Sequence, residues 1–134
     1  KESILIFGVG EQKRAFSDIK FCLEPMERLL HEYNGQIFNI GSDKEYTLNE
    51  VAILLQEIAG EFNLKPQVEY LEARHEVKDA YCDHTKAKNL LEFKDETDLR
   101  GTIREMFVWA MKQEDREVKQ MSYEIKQGMY SYWK

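Results

Sequence analysis

The sequence predicts an α/β fold in a single domain, and three observations support this prediction. Short apolar runs rich in strand-forming residues alternate with segments whose apolar side chains recur at helical spacing. A length of 134 residues is enough for one domain with a sizeable buried core. The hydrophobic fraction of 43% is that of a folded chain rather than a disordered one.

The first third of the chain predicts a strand, a helix and a second strand. The apolar run Ile4–Phe7 predicts a strand that the following glycines end. Apolar residues recur at helical spacing over 21–33, and the helix is expected to begin near residue 23 or 24, because Pro25 fits only in a first turn. Asn34 and Gly35 are expected to stop it. Residues 37–40 predict a buried strand.

The rest of the chain predicts a helix, a strand and two more helices. Thr47 and Glu50 have the spacing of a capping box, which predicts a helix that starts there and ends at Gly60. Residues 68–71 predict a short strand, and residues 74–83 are polar and irregular. Asp83 is placed to cap a short helix, with Ala87, Leu90 and Leu91 inward. A last helix, capped by Thr97 or Asp98, should bury one stripe of side chains, namely Leu99, Ile103, Met106, Phe107 and Ala110.

Composition and charge exclude several classes of function. A net charge of −6 argues against a broad nucleic-acid-binding surface. The longest apolar runs are four or five residues, so no membrane span is expected, and no signal peptide is visible. Cys22 and Cys82 are expected to be reduced and buried. Together these features predict a cytoplasmic protein.

Three patterns imitate functional motifs. Gly8 and Gly10 follow a strand, but the position of the third glycine of a dinucleotide-binding loop is Lys13, so a simple turn is the better interpretation and no cofactor-binding residue is predicted. Tyr130 and Lys134 form a Tyr-x-x-x-Lys pattern that is interpreted as coincidence. No metal site is predicted, because one Cys-x-His pair falls short of the four ligands of a structural zinc site; the candidates are His75, Asp79, Cys82, Asp83 and His84.

Two arginines stand out by context. Arg14 follows the glycine turn, and Arg74 opens the polar segment after the predicted strand at 68–71. Both lie in segments after strands, where α/β proteins usually bind ligands. Two guanidinium groups that converge on one cleft would suit a diphosphate, because each can bind bidentately. The alternative is that both are solvated surface arginines.

Four segments resemble the extended short-chain dehydrogenase/reductases that act on nucleotide sugars, of which UDP-glucose 4-epimerase is the best-known type. Residues 6–19 (IFGVGEQKRAFSDI) resemble the family segment G-x-G-x-Q-x-R-x-F-x-x-(V/I), and residues 35–42 (GQIFNIGS) resemble its F-N-I-G-S strand. Residues 74–77 (RHEV) and 81–91 (YCDHTKAKNLL) resemble its R-P-G-D-V and Y-x-D-x-(S/T)-K-A segments. The resemblance covers about residues 4–112 and matches only the C-terminal part of such enzymes. It therefore implies a small α/β lobe, over residues 1–120, without the Rossmann part.

The resemblance also implies a site and a role. Arg14 and Arg74 would hold the two phosphates of a nucleoside diphosphate sugar, Glu76 would hydrogen-bond the ribose, and the backbone near Phe7 would lie beside the base. The family's cofactor loop and catalytic residues lie upstream, so no catalytic residue is expected here. NAD would be bound by an N-terminal Rossmann domain of the parent enzyme, where it accepts and returns a hydride at the sugar C4, and not by this fragment. Homodimerisation of the parent is left open.

Two alternatives remain at this point. A nucleotide-sugar dehydratase or decarboxylase would differ from an epimerase only through upstream residues. A non-enzymatic interaction module would instead use the aromatic tail, residues 121–134, as a partner surface; its aromatic side chains are Tyr123, Tyr130, Tyr132 and Trp133.

Overall fold

The computed structural model describes residues 3–114, which form an α/β fold of short elements. The strands are β1 (Ile4–Phe7), β2 (Lys13–Ala15), β3 (Glu45–Thr47), β4 (Val68–Leu71) and β5 (Asp79–Ala80). The helices are α1 (Ile19–Leu29), α2 (Leu48–Glu61), α3 (Thr85–Leu91) and α4 (Leu99–Ala110). The predicted fold class is confirmed, as are the strands at 4–7 and 68–71. The aromatic tail lies outside the described residues.

The strands form two small sheets. Strands β1 and β4 pair in parallel, with Ile4 opposite Val68 and Phe7 opposite Leu71. Strand β2 pairs antiparallel with β3 on one side and parallel with β5 on the other. Sequence inspection missed β2, β3 and β5, because strands of two or three mostly polar residues carry no alternating pattern. The pairing of β2 with β5 nevertheless determines where Arg14 and the segment before β5 meet.

Helices α2 and α4 enclose the larger core. Thr47 Oγ1 accepts from the Glu50 amide at 3.1 Å and Glu50 Oε2 accepts from the Thr47 amide at 2.7 Å, so the predicted capping box is present. The buried residues are Ile58, Leu99 and Ile103. The predicted stripe on α4 is wrong at Met106, which is 64% exposed, and at Ala110, which is also exposed. The contact with α2 buries the first half of α4, and no other element among residues 3–114 covers its last turn.

Helix α1 begins and ends earlier than predicted. Its N-cap is Asp18, whose Oδ1 accepts from the Lys20 amide at 2.9 Å, so the start does not depend on Pro25. Pro25 lies in the interior of the helix, in a buried position, where packing compensates the missing backbone hydrogen bond. The helix stops at Leu29, before the predicted stop at Asn34 and Gly35.

The predicted buried strand at 37–40 is wrong. This segment has no strand partner among residues 3–114, and Ile37 is 85% exposed. Side chains from elsewhere contact it instead: Lys86 Nζ donates to the Ile37 carbonyl at 3.0 Å. Phe38 and Ile40 pack against a second core of Ala87, Leu91 and Phe93. Leu90, which was expected inward on α3, is 42% exposed because α3 buries only one narrow face.

Neither cysteine is fully buried, although burial was predicted for both. Cys22 and Cys82 are free thiols, but Cys22 is only half-buried and Cys82 is exposed, so the predicted burial is wrong at Cys82. Cys82 lies in the turn between β5 and α3, where no core element covers it. Within residues 3–114, every helix is too short or too polar to cross a lipid bilayer.

Candidate functional site

Strand pairing brings three distant segments to one place. Because β1 and β4 are parallel and in register, Phe7 and Leu71 end their strands side by side, and the Gly8 amide donates to the Leu71 carbonyl at 3.0 Å. The chain then continues from β4 to Arg74. Strand β2 pairs with β5, and the Lys13 amide donates to the Lys78 carbonyl at 2.8 Å. The segment between β4 and β5 is thus held across the end of β1 and along β2.

Arg74 lies over the ring of Phe7. Its guanidinium carbon is 4.0 Å from the ring centroid, which is a close cation–π contact. Its Nη2 atom is 3.8 Å from Glu76 Oε2, an ion pair that is longer than a hydrogen bond. The Arg74 side chain is 32% exposed. Stacking therefore orients this guanidinium without tying its N–H groups to the Glu76 carboxylate.

Arg14 is held by the chain that surrounds it. Its Nη1 atom donates to the carbonyls of Lys13 at 2.6 Å and Lys78 at 3.1 Å. Its Nη2 atom donates to the Val77 carbonyl at 2.7 Å and to Glu76 Oε2 at 3.3 Å. Arg14 therefore ties the segment 76–78 to β2, and an anion would have to share these donors or replace them.

Gln12 also contacts Phe7 and Glu76, although sequence inspection assigned it no role. Only 9% of it is exposed, and its Nε2 atom donates to the Phe7 carbonyl and to Glu76 Oε1, both at 2.8 Å. It thus links the end of β1 to the polar segment after β4. Its position two residues after Gly10 and two before Arg14 is the signal that was available in the sequence.

Glu76 is the common partner of the cluster. Its Oε2 atom is 3.3 Å from Arg14 Nη2 and 3.8 Å from Arg74 Nη2, so these two nitrogens are at most about 7 Å apart, the sum of the two distances. The structure thus brings together all four residues singled out in the sequence, namely Phe7, Arg14, Arg74 and Glu76. Two cations at this separation, with side chains that are 24% and 32% exposed, can bind a doubly charged anion that solvent can reach.

The glycine loop and the metal-candidate residues within 3–114 have different surroundings from the motifs that they imitate. The loop of Gly8 and Gly10 leads into β2 rather than into a helix, so no helix N-terminus lies at this turn to receive a dinucleotide phosphate. This loop therefore lacks the geometry of a dinucleotide-binding turn. Residues 3–114 contain no group of three or more His, Cys, Asp or Glu side chains that could hold a metal ion. The pair Tyr130 and Lys134 lies outside the described residues.

Comparison with curated proteins identifies relatives that act on nucleotide sugars. The chain is 31% identical to UDP-glucuronic acid decarboxylase 2 of Arabidopsis thaliana over 103 residues, which are 75% of this chain and 22% of that protein. It is 26% identical to the UDP-N-acetyl-α-D-glucosaminuronate decarboxylase of Bacillus cytotoxicus over 113 residues, 81% of this chain and 35% of that one. No family model matches the chain. The chain thus spans between about a fifth and a third of the length of these relatives.

Solved structures of nucleotide-sugar enzymes match a similar share of this chain as the curated relatives do. The UDP-glucose 4-epimerase of Thermotoga maritima, solved with UDP-glucose, is 27% identical with a TM-score of 0.70, over 82% of this chain and 36% of that one. The UDP-glucuronic acid 4-epimerase of Bacillus cereus, solved with UDP-glucuronic acid and NAD, has a TM-score of 0.71 at 23% identity, over 81% and 35%. The dTDP-glucose 4,6-dehydratase of Bacillus anthracis, solved with NAD, has a TM-score of 0.73 at 21% identity, over 84% and 36%.

These comparisons define a class of relatives. The relatives and structural neighbours named above are nucleotide-sugar epimerases, dehydratases and decarboxylases, and two of their structures were solved with NAD. The chain is homologous to one part of such enzymes and covers about 35% of the structures it matches.

Proposed function

We propose that residues 1–120 are the substrate-binding lobe of a longer nucleotide-sugar-modifying enzyme, and that they anchor the diphosphate of a UDP-sugar. The convergence of Arg14 and Arg74 on Glu76, beside the ring of Phe7, carries this proposal. The UDP-glucose 4-epimerase of Thermotoga maritima, which is 27% identical to this chain, was solved with UDP-glucose, and this supports the choice of ligand.

The two arginines have different tasks in this proposal. Arg74 is oriented by the Phe7 ring, and its distance of 3.8 Å from Glu76 is too long for a hydrogen bond. Its N–H groups therefore donate to the phosphate oxygens. Arg14 donates to three backbone carbonyls, so it fixes the floor of the site and adds positive charge rather than a full bidentate contact. Glu76 keeps the guanidinium groups in place, and its remaining lone pairs can accept from ribose hydroxyls.

This lobe contributes binding and orientation rather than bond making. Energy gained at the diphosphate, remote from the reacting sugar carbon, holds the substrate in position for groups outside this chain. We place NAD and the proton-transferring residues in the remaining two thirds of the parent, as its NAD-bound neighbours suggest. The isolated chain should therefore bind UDP weakly and catalyse nothing.

The reaction of the parent has two candidates. The first is a 4-epimerase of the UDP-glucose/UDP-galactose type, which is an isomerase, and the match to the Thermotoga enzyme at 27% identity over 82% of the chain supports it. The second is a decarboxylase, and the match at 31% identity to a UDP-glucuronic acid decarboxylase supports it equally. Incubating the longer protein with UDP-glucose and with UDP-glucuronic acid separates the two, because one yields UDP-galactose and the other releases CO2.

Titration of the isotopically labelled chain with UDP, followed by backbone NMR, tests the binding site. Amides near residues 7, 14 and 74–78 should shift. Arg74→Gln should weaken binding about ten- to a hundredfold, because it removes a hydrogen bond between charged groups worth about 1.5–3 kcal/mol. Uridine alone, which lacks the phosphates, should bind much more weakly than UDP to the unmodified chain.

Arg104→Gln is the matched control. Arg104 also contacts an aromatic ring, that of Phe62 at 5.9 Å, and also pairs with a carboxylate, that of Glu61 at 2.8 Å, but it lies on α4. This variant should bind UDP as the unmodified chain does. Equal loss in both variants, or shifts confined to residues outside the cluster, would contradict the proposal.

A further inference from the structure

A second polar cluster joins the turn after β5 to the loop before β3, and it involves other side chains than the anion site. Cys82 Sγ lies 2.9 Å from His84 Nε2, and His84 Nδ1 lies 3.0 Å from Asp43 Oδ1. Cys82 is exposed, whereas His84 is 3% exposed. We propose that Cys82 is a reactive thiol that hydroperoxides oxidise, with His84 as its proton acceptor and Asp43 as the residue that orients the imidazole.

The hydrogen bonds determine the direction of proton transfer. An ionised carboxylate can only accept, so Nδ1 of His84 must donate to Asp43. Hydrogen bonds from Lys88 and His84 lower the pKa of Asp43, which keeps this carboxylate ionised at neutral pH. In the neutral imidazole, Nε2 then carries the lone pair, and the thiol of Cys82 donates to it. This is the order of donor, base and orienting carboxylate that activates a nucleophile.

The imidazole is held firmly. The ring of Phe93 meets it edge-on at 6.1 Å between centroids. A Cβ at Gly41 would lie 3.4 Å from Nε2, so the backbone closes the side next to the base. His84 therefore cannot turn away from Cys82 without displacing these neighbours.

Three charged groups face this pair from the elements around it. Asp43 comes from the loop before β3, Lys88 from α3, and Asp83 from the turn that contains Cys82. Lys88 Nζ is 2.7 Å from Asp43 Oδ2, so it shares the carboxylate with His84 and weakens the attraction that Asp43 exerts on an imidazolium. Asp43 therefore acts by holding the His84 ring in the orientation that points Nε2 at Cys82.

The reaction balances with one hydroperoxide as oxidant. The thiol proton moves from Cys82 Sγ to His84 Nε2 while the sulfur attacks the terminal peroxide oxygen. An S–O bond forms, the O–O bond breaks, sulfur loses two electrons and the peroxide gains them. With hydrogen peroxide, the leaving hydroxide takes the proton from His84 and departs as water, and a sulfenic acid remains.

The test is the rate at which dilute hydrogen peroxide oxidises each cysteine of the chain, followed by trapping of the sulfenic acid and peptide mass spectrometry. At neutral pH, His84→Gln should slow Cys82 at least about tenfold, which is less than the roughly hundredfold or more that a general base typically contributes. The unmodified protein should also react more slowly in D2O, because a proton moves in the rate-determining step, and His84→Gln should lose this isotope effect.

Two further variants separate proton transfer from a structural role. Asp43→Asn, which leaves His84 in place, should slow Cys82 by several-fold. Lys86→Met is the matched control and should leave the rate unchanged, because Lys86 lies on α3 as Lys88 does but donates to the Ile37 carbonyl rather than to Asp43. Cys22 reports on folding in every variant, since burial raises the pKa of its thiol and keeps it slow while α1 stays packed. Equal Cys82 rates in the unmodified protein, His84→Gln and Asp43→Asn would overturn the proposal, as would an equal loss in Lys86→Met.

Discussion

Asp95 connects two parts of the chain through one carboxylate, and its replacement gives a quantitative test of the fold. Its Oδ2 atom accepts from the Ser42 hydroxyl and the Asp43 amide, both at 2.8 Å, and its Oδ1 atom accepts from the Thr97 amide at 3.2 Å. Asp95 is half-buried and Ser42 is 2% exposed. The carboxylate thus fixes the loop before β3 against the segment that leads into α4.

Asp95→Asn has nearly the same shape but supplies only one acceptor oxygen. With that oxygen in place of Oδ2, the contacts to Ser42 and Asp43 survive as weaker neutral hydrogen bonds. The new amide group then faces the Thr97 amide, and two donors meet. One charge-assisted hydrogen bond is worth about 1.5–3 kcal/mol and a neutral one about 0.5–1.5. The variant should therefore be less stable by about 2–4 kcal/mol at neutral pH.

The pH dependence of this loss has a definite sign. Burial by itself raises the pKa of Asp95, but the hydrogen bonds from Thr97, Asp43 and Ser42 together outweigh it, so the pKa lies below the ordinary value of 3.8. A carboxyl group whose pKa is lowered in the folded state contributes stability above its ordinary pKa, and this stability is lost as the pH falls through the lowered value. The difference between the two proteins should then shrink below pH 3.8.

Urea unfolding followed by circular dichroism measures this difference. At neutral pH the midpoint of Asp95→Asn should fall by about 1–2 M urea. Asp98→Asn is the control, because Asp98 is exposed and its side chain makes no capping hydrogen bond to α4. A loss at Asp95 that stays the same down to pH 3 would refute the assignment of the effect to an ionised carboxylate, and so would an equal loss at Asp98.

Two further predictions compare matched positions by the same unfolding assay. Ile58→Ala, at a residue that is 0% exposed, should cost about 2–5 kcal/mol, whereas Ile53→Ala on the same helix, at 57% exposure, should cost far less; equal losses would contradict the packing of α2. Gly10→Ala should cost at least about 1–2 kcal/mol, because Gly10 has φ +76° and a Cβ would lie 2.0 Å from Asn49 Oδ1. Gly60→Ala should instead stabilise α2 by about 0.5–1 kcal/mol, since no atom beyond the neighbouring residues and the backbone of α2 lies within 4 Å of its Cβ position, and an unfavourable Gly60→Ala would contradict this.

Local signals in the sequence were sufficient wherever the structure itself is local. The capping box of Thr47 and Glu50 needs only residues three apart, and the strand at 68–71 needs only a short apolar run, so both were predicted correctly. Helix α1 was misjudged because Pro25 is usually a start signal. Here the Asp18 carboxylate, which also accepts from Thr102 on α4 at 2.7 Å, determines where the helix begins.

The candidate site was likewise predicted where it depends on residue type and missed where it depends on contacts between distant residues. Arg14 and Arg74 were singled out because arginines after strands have a recognisable chemistry, whereas Phe7 and Glu76 were added by the family resemblance. The role of Gln12 could not be predicted, since it depends on two contacts of its side chain, one of them to a residue 64 positions away. The alignment of Cys82, His84 and Asp43 likewise spans 41 positions between its base and its carboxylate.

The sequence by itself determined the α/β class, the main helices and the choice of arginines, because periodicity, capping and residue chemistry act over a few neighbouring positions. Only the tertiary structure decided that residues 37–40 form no strand pairing within residues 3–114. It also decided that the Arg14 guanidinium donates to backbone carbonyls. Strand pairing and the geometry of side-chain contacts depend on which distant segments meet, and that is settled by packing of the whole chain rather than by any local pattern.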